Sequence, residues 1–277
     1  MFQFTLDPCA LLLRQAVTPF IEAEAYNGEI YVSPTVVTLI AEASGSVVLV
    51  LRMKPCTFNS FTCTKNLSLG LDLRILYSNL LRAKTHAFLR LSGDETSGHI
   101  DFGLLDTRTL QGYRTHIPLL SRSNEMLPVP HLQYQFQVRV AIPAEQFRVI
   151  IMNLSQFEVA VLDNVMIHNP FSFTVTLHII SVSASVTDTQ VRFLNGNGKI
   201  IPYPILKKPE QCIIEGDVGA APVSLVLNLR HARAIMNASV MSNMVWLLGQ
   251  SNGSSVMLDC PFGKLGNLNY YFPKPEA

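Results

Sequence analysis

The sequence predicts an α+β protein made of two similar domains, each an antiparallel sheet structure carrying two helices. Three observations lead there. The segment SLGLDLR (Ser68 to Arg74) returns as SLVLNLR (Ser224 to Arg230), at an offset of 224 − 68 = 156. Alternating or continuous β-branched runs dominate the chain, and four segments carry helical period instead. The duplication keeps its register without a gap: Gly93 falls on Gly249, Ile100 on Val256 and Phe102 on Leu258. A weaker match at an offset of 134 sets Phe2, Gln3, Leu13 and Arg14 on Phe136, Gln137, Phe147 and Arg148. The chain therefore reads as two copies of one unit, the second with 156 − 134 = 22 additional residues between its matched segments.

Taken in order, the first helix is expected over Pro8 to Ile21, interrupted at Pro19, which has no amide to donate. VVLVLR (Val47 to Arg52) reads as a strand, and a second helix, Leu73 to Lys84, follows directly on the first duplicated strand. LSGDETSGHID (Leu91 to Asp101) gathers Asp94, Glu95, His99 and Asp101, the best set for acid–base or metal chemistry. Its turn composition, and its counterpart LLGQSNGSSVM with none of those groups, predict a hairpin loop instead. IPLLSRSNEMLPVPHLQY (Ile117 to Tyr134) holds three prolines and no clean period, so it reads as an extended connector. The predicted domains are accordingly residues 1–116 and 135–277, joined by 117–134. The second begins with the strand FQVRVAI (Phe136 to Ile142) and a third helix, Ala144 to Phe157. The run FTVTLHIISVSASV (Phe173 to Val186) reads as strand. GNGKIIPYPILKKPE (Gly196 to Glu210) is placed within the additional material and reads as a turn, because the phosphate-loop spacing GxxxxGK[ST] is absent. A fourth helix, Arg230 to Met241, and the strand SVMLDC (Ser255 to Cys260) complete the second copy.

Hydrophobic residues make up 48% of the 277 and charged residues 15%, so the surface is poor in charge or partly covered by a partner. No apolar run reaches the length of a spanning helix, and the opening MFQFTLDP lacks the basic flank of a signal peptide; an intracellular protein without membrane contact is expected. The five cysteines form no CxxC pair, which predicts reduced, mostly buried thiols rather than disulfides or a zinc site. The seven histidines show neither HxxxH nor HExxH spacing, there is no GxSxG, and the carboxylates are scattered. A protein that is not an enzyme, with no cofactor and no metal, is the expectation.

The charges sit unevenly. Within the bounds given, the first, second and fourth helices contain no Asp or Glu, and the third has none after Glu145. Their basic residues are Arg14, Arg74, Arg82, Lys84, Arg148, Arg230 and Arg233. Arg74, Ser78 and Arg82 share one helical face, as do Arg230, Arg233 and Asn237, while Leu73, Leu76, Tyr77 and Leu80, and Ala234, Ile235 and Ala238, share apolar faces. Lys and Arg commonly just solvate exposed helices, but ordinary surfaces mix the signs. A one-signed helical surface on a chain of net charge +1 points to a polyanion, with double-stranded DNA the leading partner, held through phosphate without sequence preference.

The runs FTCTKNLSLGLDL (Phe61 to Leu73), VPHLQYQFQVRV (Val129 to Val140) and LNGNGKI (Leu194 to Ile200), and above all GNLNYYFPK (Gly266 to Lys274), resemble the proliferating cell nuclear antigen family of DNA sliding clamps. The resemblance implies the clamp fold: two similar domains per subunit, antiparallel sheets outside and two helices from each domain lining a central channel, three subunits closing a ring. It implies a DNA polymerase processivity factor and docking platform for replication and repair proteins, in the nucleus of a cell or of a virus-infected host. The seven basic residues would face DNA. A partner-peptide pocket would comprise Leu39, Ser44, Leu127, Val129, Pro130, Tyr271, Phe272 and Pro273, taking polymerase and other replication factors through a short motif, and a clamp loader would open the ring. The subunit contact would pair the edge Thr107 to His116, with Tyr113, against Arg192 to Tyr203, with Leu194 and Ile200. The alternative is a subunit of a hetero-oligomeric checkpoint-type clamp that acts mainly as a protein adaptor.

Overall fold

Extended segments, some with period-two burial and some buried on both faces, build the sheets of the chain, and a computed structural model describes it over residues 1–6, 10–121, 136–165, 181–195, 205–208, 212–216, 222–250 and 255–273. Two compact units emerge: Met1–Leu132 together with Cys260–Tyr270, and Gln133–Asp259 together with Tyr271–Ala277.

In the first unit, β1 (Phe2–Leu6) precedes α1 (Ala10–Glu22), and β2 (Asn27–Val32), β3 (Val37–Ala43), β4 (Val47–Met53), β5 (Ser60–Cys63) and β6 (Leu67–Asp72) follow. Helix α2 (Leu73–Leu80) then leads to β7 (Ala87–Gly93), β8 (His99–Asp106) and β9 (Gly112–Leu120). The second unit runs β10 (Phe136–Pro143), α3 (Ala144–Val165), β11 (Ser181–Val186), β12 (Gln190–Asn195), β13 (Ile205–Leu206), β14 (Ile213–Gly216) and β15 (Val223–Asn228). A short 3-10 turn, Leu229–His231, opens α4 (Ala232–Ser239), and β16 (Met244–Gln250) and β17 (Ser255–Phe262) follow; β18 (Gly266–Pro273) ends the described chain. Strand order in the first unit is β18-β4-β3-β2-β6-β9-β8-β7-β1-β5; in the second it is β14-β10-β16-β17 and, separately, β13-β12-β11-β15. The chain is thus α+β, mostly antiparallel sheet with few helices. None of the helices among the described residues is long and apolar enough to cross a membrane.

The two units repeat each other element by element. Helices α1 and α3 begin 144 − 10 = 134 residues apart, and β6 and β15 coincide from first residue to last at an offset of 223 − 67 = 156, as do β8 and β17. Leu91 pairs with Phe102 and Leu247 with Leu258, so this hairpin keeps its register in both copies. Strand β10 has slipped by two residues along its partner relative to β1, passing a bulge between Phe136 and Val138. An even slip leaves every side chain on its original face, which is why it is tolerated.

The duplicated heptapeptide encodes a strand end and a helix cap. Asp72 leaves β6 extended, with φ −80° and ψ 109°, and its carboxylate accepts from the Arg74 amide; Asn228 does the same for the Arg230 amide. A side-chain oxygen at this position satisfies one of the amides that the first helical turn leaves unpaired.

A third repeat escapes the sequence comparison. The β2–β3 turn is tied by the Ser33 hydroxyl accepting from the Thr35 and Val36 amides, and the β11–β12 turn by the Thr187 hydroxyl accepting from Thr189 and Gln190, at an offset of 187 − 33 = 154. Twenty of the 22 additional residues therefore lie between the start of α3 and the start of β11, and not in Gly196–Glu210 where they were expected. Helix α3 itself, at 22 residues against 13 in α1, takes up part of them.

Other bounds change as well. Helix α1 runs through Pro19 to Glu22 without interruption. Helix α2 closes at Leu80, its amides from Arg82 onward reaching back only three residues, so the expected helix to Lys84 is shorter. Strand β9 extends to Leu120, so the first residues of the expected connector are strand. Of the run Phe173 to Val186, only β11 falls within the described residues. Two of the described cysteines, Cys212 and Cys260, are buried, but Cys56 is exposed and Cys63 partly so. Burial pushes the Cys212 thiol up to about 11.

Removing either cap should show directly. Asp72→Ala and Asn228→Ala are each expected to lower the unfolding free energy by about 1 kcal/mol in urea titrations. The hydrogen bond from the Arg74 side chain holds the Asp72 carboxyl below its usual range. Its contribution is present above the unfolded-state value near pH 4 and is lost as pH falls through the lower folded-state value. The Asp72→Ala deficit should accordingly shrink in acid, whereas the Asn228→Ala deficit should not track that titration.

Candidate nucleic-acid interface

The helices that carry the basic residues are positioned by apolar faces. Helix α1 buries Leu13, Ala16, Val17 and Phe20, and α2 buries Leu73, Leu76 and Leu80 with Tyr77 half-exposed; α4 buries Ala234, Ile235 and Ala238. These are the apolar faces the helical period predicts.

The basic residues fall into three groups. Arg14 and Arg148, both half-buried, act inside the fold. Arg14 Nη1 donates to the Ala83 carbonyl at 3.5 Å, and Arg148 Nη1 donates to the Ser239 carbonyl at 3.1 Å. Donors stand 148 − 14 = 134 apart and acceptors 239 − 83 = 156 apart, the two offsets of the sequence repeat. Each arginine reaches from the first helix of its unit toward the C-terminal side of the second, and a cation is favourable near a helix C-terminus. The Ala83 carbonyl lies three residues past α2, and the Ser239 carbonyl, the last of α4, also accepts from the Ser242 amide.

Arg74, Arg82 and Lys84 form the second group, on the first unit. Arg74 is exposed, yet its guanidinium bonds both oxygens of Asp72, at 3.1 and 2.7 Å, and lies over the Tyr26 ring at 5.1 Å. Arg82 and Lys84 lie beyond the end of α2. Arg82 stands 4.4 Å over the Tyr113 ring, and Lys84 Nζ is 3.5 Å from Asp106. Tyr113 in turn donates its hydroxyl to Asn79 at 2.8 Å. Arg82, Lys84, Asp106 and Tyr113 line one pocket. The amides of Arg108 and Thr109 are the main cause that holds the Asp106 carboxyl below its usual range.

Arg230 and Arg233 are the third group, exposed on the second unit at the start of α4. No carboxylate lies in α2, in α4 or in the 3-10 turn before α4. The longer α1 and α3 do contain acids, because their true ends include Glu22, Glu158 and Asp163 beside Glu145. By count, the helical elements thus contain five arginines (14, 74, 148, 230, 233) and four carboxylates, and the acid-free helical segments are α2 and α4 with its 3-10 turn.

Of the expected peptide-pocket residues, Leu39, Tyr271 and Phe272 are buried, at 2%, 7% and 2% exposure, rather than displayed as an apolar patch. Ser44 stands half-exposed in the turn between β3 and β4. Leu127, Val129, Pro130 and Ile200 lie outside the described residues, as does the Pro273 side chain. The expected interface edge Thr107 to His116 is strand only from Gly112 on. Strand β9 pairs with β8 along Gly112 to Pro118 and with β6 only at Leu119 and Leu120, so its far side is unpaired through Pro118 among the described residues. Strand β12 pairs with β11 throughout and with β13 only at Gln190 and Val191; Leu194 lies in the remaining stretch, half-exposed. The acid-rich loop is the expected hairpin turn. Asp94 accepts from the Thr96 and Ser97 amides, and Glu95 pairs with Lys65 at 2.7 Å.

No protein-family model matches the chain.

The internal arginines and the exposed ones should behave differently. Arg14→Ala and Arg148→Ala are each expected to cost about 1–2 kcal/mol of unfolding free energy. Arg230→Ala should stay within about 0.5 kcal/mol of the unaltered chain in the same denaturant titration.

Proposed function

We propose that the chain is a subunit of a DNA sliding clamp, a ring that encircles double-stranded DNA and holds a DNA polymerase and other replication and repair factors to it. The observation that carries the reading is the repeated helix pair, two copies of one unit with the same cap and the same arginine-to-carbonyl bond. A ring built from such copies presents equivalent helices to its hole at regular intervals. Retention is then topological, so a few phosphate contacts from Arg74, Arg82, Arg230 and Arg233 suffice and do not arrest sliding. Among the described residues one side of β9 as far as Pro118 and of β12 beyond Val191 is unpaired. This supports a head-to-tail contact between subunits, since strand pairing would remove two exposed edges at once. Opening by a clamp loader and nuclear location belong to the same proposal.

A second reading is favoured by the acids of α1 and α3 and by the internal commitment of Arg14 and Arg148. A subunit of a hetero-oligomeric checkpoint-type clamp, acting mainly as an adaptor, needs few cations toward DNA.

Mass in solution separates the two. Light scattering over a concentration series should give a particle of three subunits, about 3 × 30.7 = 92 kDa, for the self-sufficient ring. A monomer at every concentration, with and without duplex DNA, would remove the homotrimer and leave the adaptor reading. For the ring, joint replacement of Arg74, Arg82, Arg230 and Arg233 by Ala should flatten the dependence of log affinity for duplex DNA on log salt, by about 0.9 for each phosphate no longer neutralised. An unchanged slope would show that these side chains do not meet DNA.

A further inference from the structure

Strands β8 and β9 place three metal-ligating side chains together on the exposed face of the first unit. Asp101 stands directly opposite His116, and His99 precedes Asp101 by two residues, so all three project to the same side of the sheet. The Leu119 amide bonds the Gly98 carbonyl. By alternation the Asp101–His116 pair is then a non-hydrogen-bonded one, in which side chains approach most closely. His116 Nδ1 lies 2.8 Å and His99 Nε2 3.4 Å from the same carboxylate oxygen, Asp101 Oδ1. The two imidazoles meet edge to face at 4.5 Å, and the three donor atoms all fall within 4.8 Å of one another.

We infer that His99, Asp101 and His116 form a binding site for a divalent transition-metal ion of the zinc type. Donors held 2.0–2.1 Å from a tetrahedral zinc are separated by about 3.3 Å. The two imidazole-to-carboxylate separations, 2.8 and 3.4 Å, bracket that value, and the two imidazole nitrogens lie within 4.8 Å of each other. Two imidazoles and one carboxylate suit zinc and its neighbours rather than calcium or magnesium, which take oxygen donors. Three protein ligands leave a fourth position for water or for a donor from another molecule. The alternative, a carboxylate merely hydrogen-bonded to His116, explains one of the histidines but not the second imidazole turned toward the same oxygen. The ion would tie β8 to β9 next to the unpaired side of β9. The site stands on these side chains alone and is independent of the clamp reading.

Hairpin register explains why the spacing of the sequence conceals the set: His116 is fifteen positions from Asp101 and joins it only across the β8–β9 pair. The test uses the full chain. Chelator-competition titration with zinc should give one ion per chain with micromolar or tighter affinity. His99→Gln and His116→Gln should each weaken it about tenfold or more, since even outer-shell changes cost that much. Cys56→Ser with Cys63→Ser should leave it intact. No binding at about 0.1 mM free zinc, or equal affinity in either His variant, overturns the site. Cobalt added to the unaltered chain provides a readout that needs no variant: visible ligand-field bands without a near-ultraviolet thiolate band are expected, and a thiolate band would place the ion on cysteine instead.

Discussion

Both units rest their two helices on one shared contact, an arginine on the first helix that bonds a carbonyl at or just past the end of the second. Helices α2 and α4 have only eight residues each, too few to hold themselves in water without tertiary support. Such a helix is fixed at both ends here. Asp72 closes the amide end of α2, and Asn228 caps the 3-10 turn that leads into α4. Arg14 bonds a carbonyl just past the other end of α2, and Arg148 bonds one at that of α4. With its ends held, a short helix can bury a narrow apolar face of leucines in one unit and of alanines with one isoleucine in the other. The identity of the arginine matters, because several donors on a planar head can meet a carbonyl from a half-buried position while the stem packs against neighbouring side chains.

Helix–strand alternation and the duplication were legible because both depend on local pattern. SLGLDLR and SLVLNLR preserve residue types at every position that faces the core or caps the helix. The hairpin repeat of Ser33 and Thr187 was not legible. A serine or threonine hydroxyl can tie the same turn, and the flanking strands share little beyond valines. Helix ends were also misjudged, for a physical reason. Pro19 removes one amide bond, but burial of α1 on its apolar face outweighs that local loss, so the helix continues to Glu22.

The site suffered most from reading charge without geometry. Arg14 and Arg148 share the helices of the other cations and look equivalent to them in sequence, yet they point to backbone carbonyls. Apart from Glu145, the acids that temper α1 and α3 lie beyond the predicted helix ends and entered only when the ends moved. Histidine spacing was equally uninformative, since register across a hairpin, not distance along the chain, brings His116 to Asp101.

Strand β9 has one further property. With the Leu119 amide directed to β8, alternation turns the amides of Gly112, Arg114 and His116 to the side left unpaired among the described residues, where Pro118 has none to give. From Leu119 on, that side belongs to β6. Any strand that docks here can therefore zip for only a few rungs before it reaches a stop built into the chain. Such an edge cannot template open-ended growth, and whatever joins it must draw specificity from side chains and can leave by breaking only a few bonds.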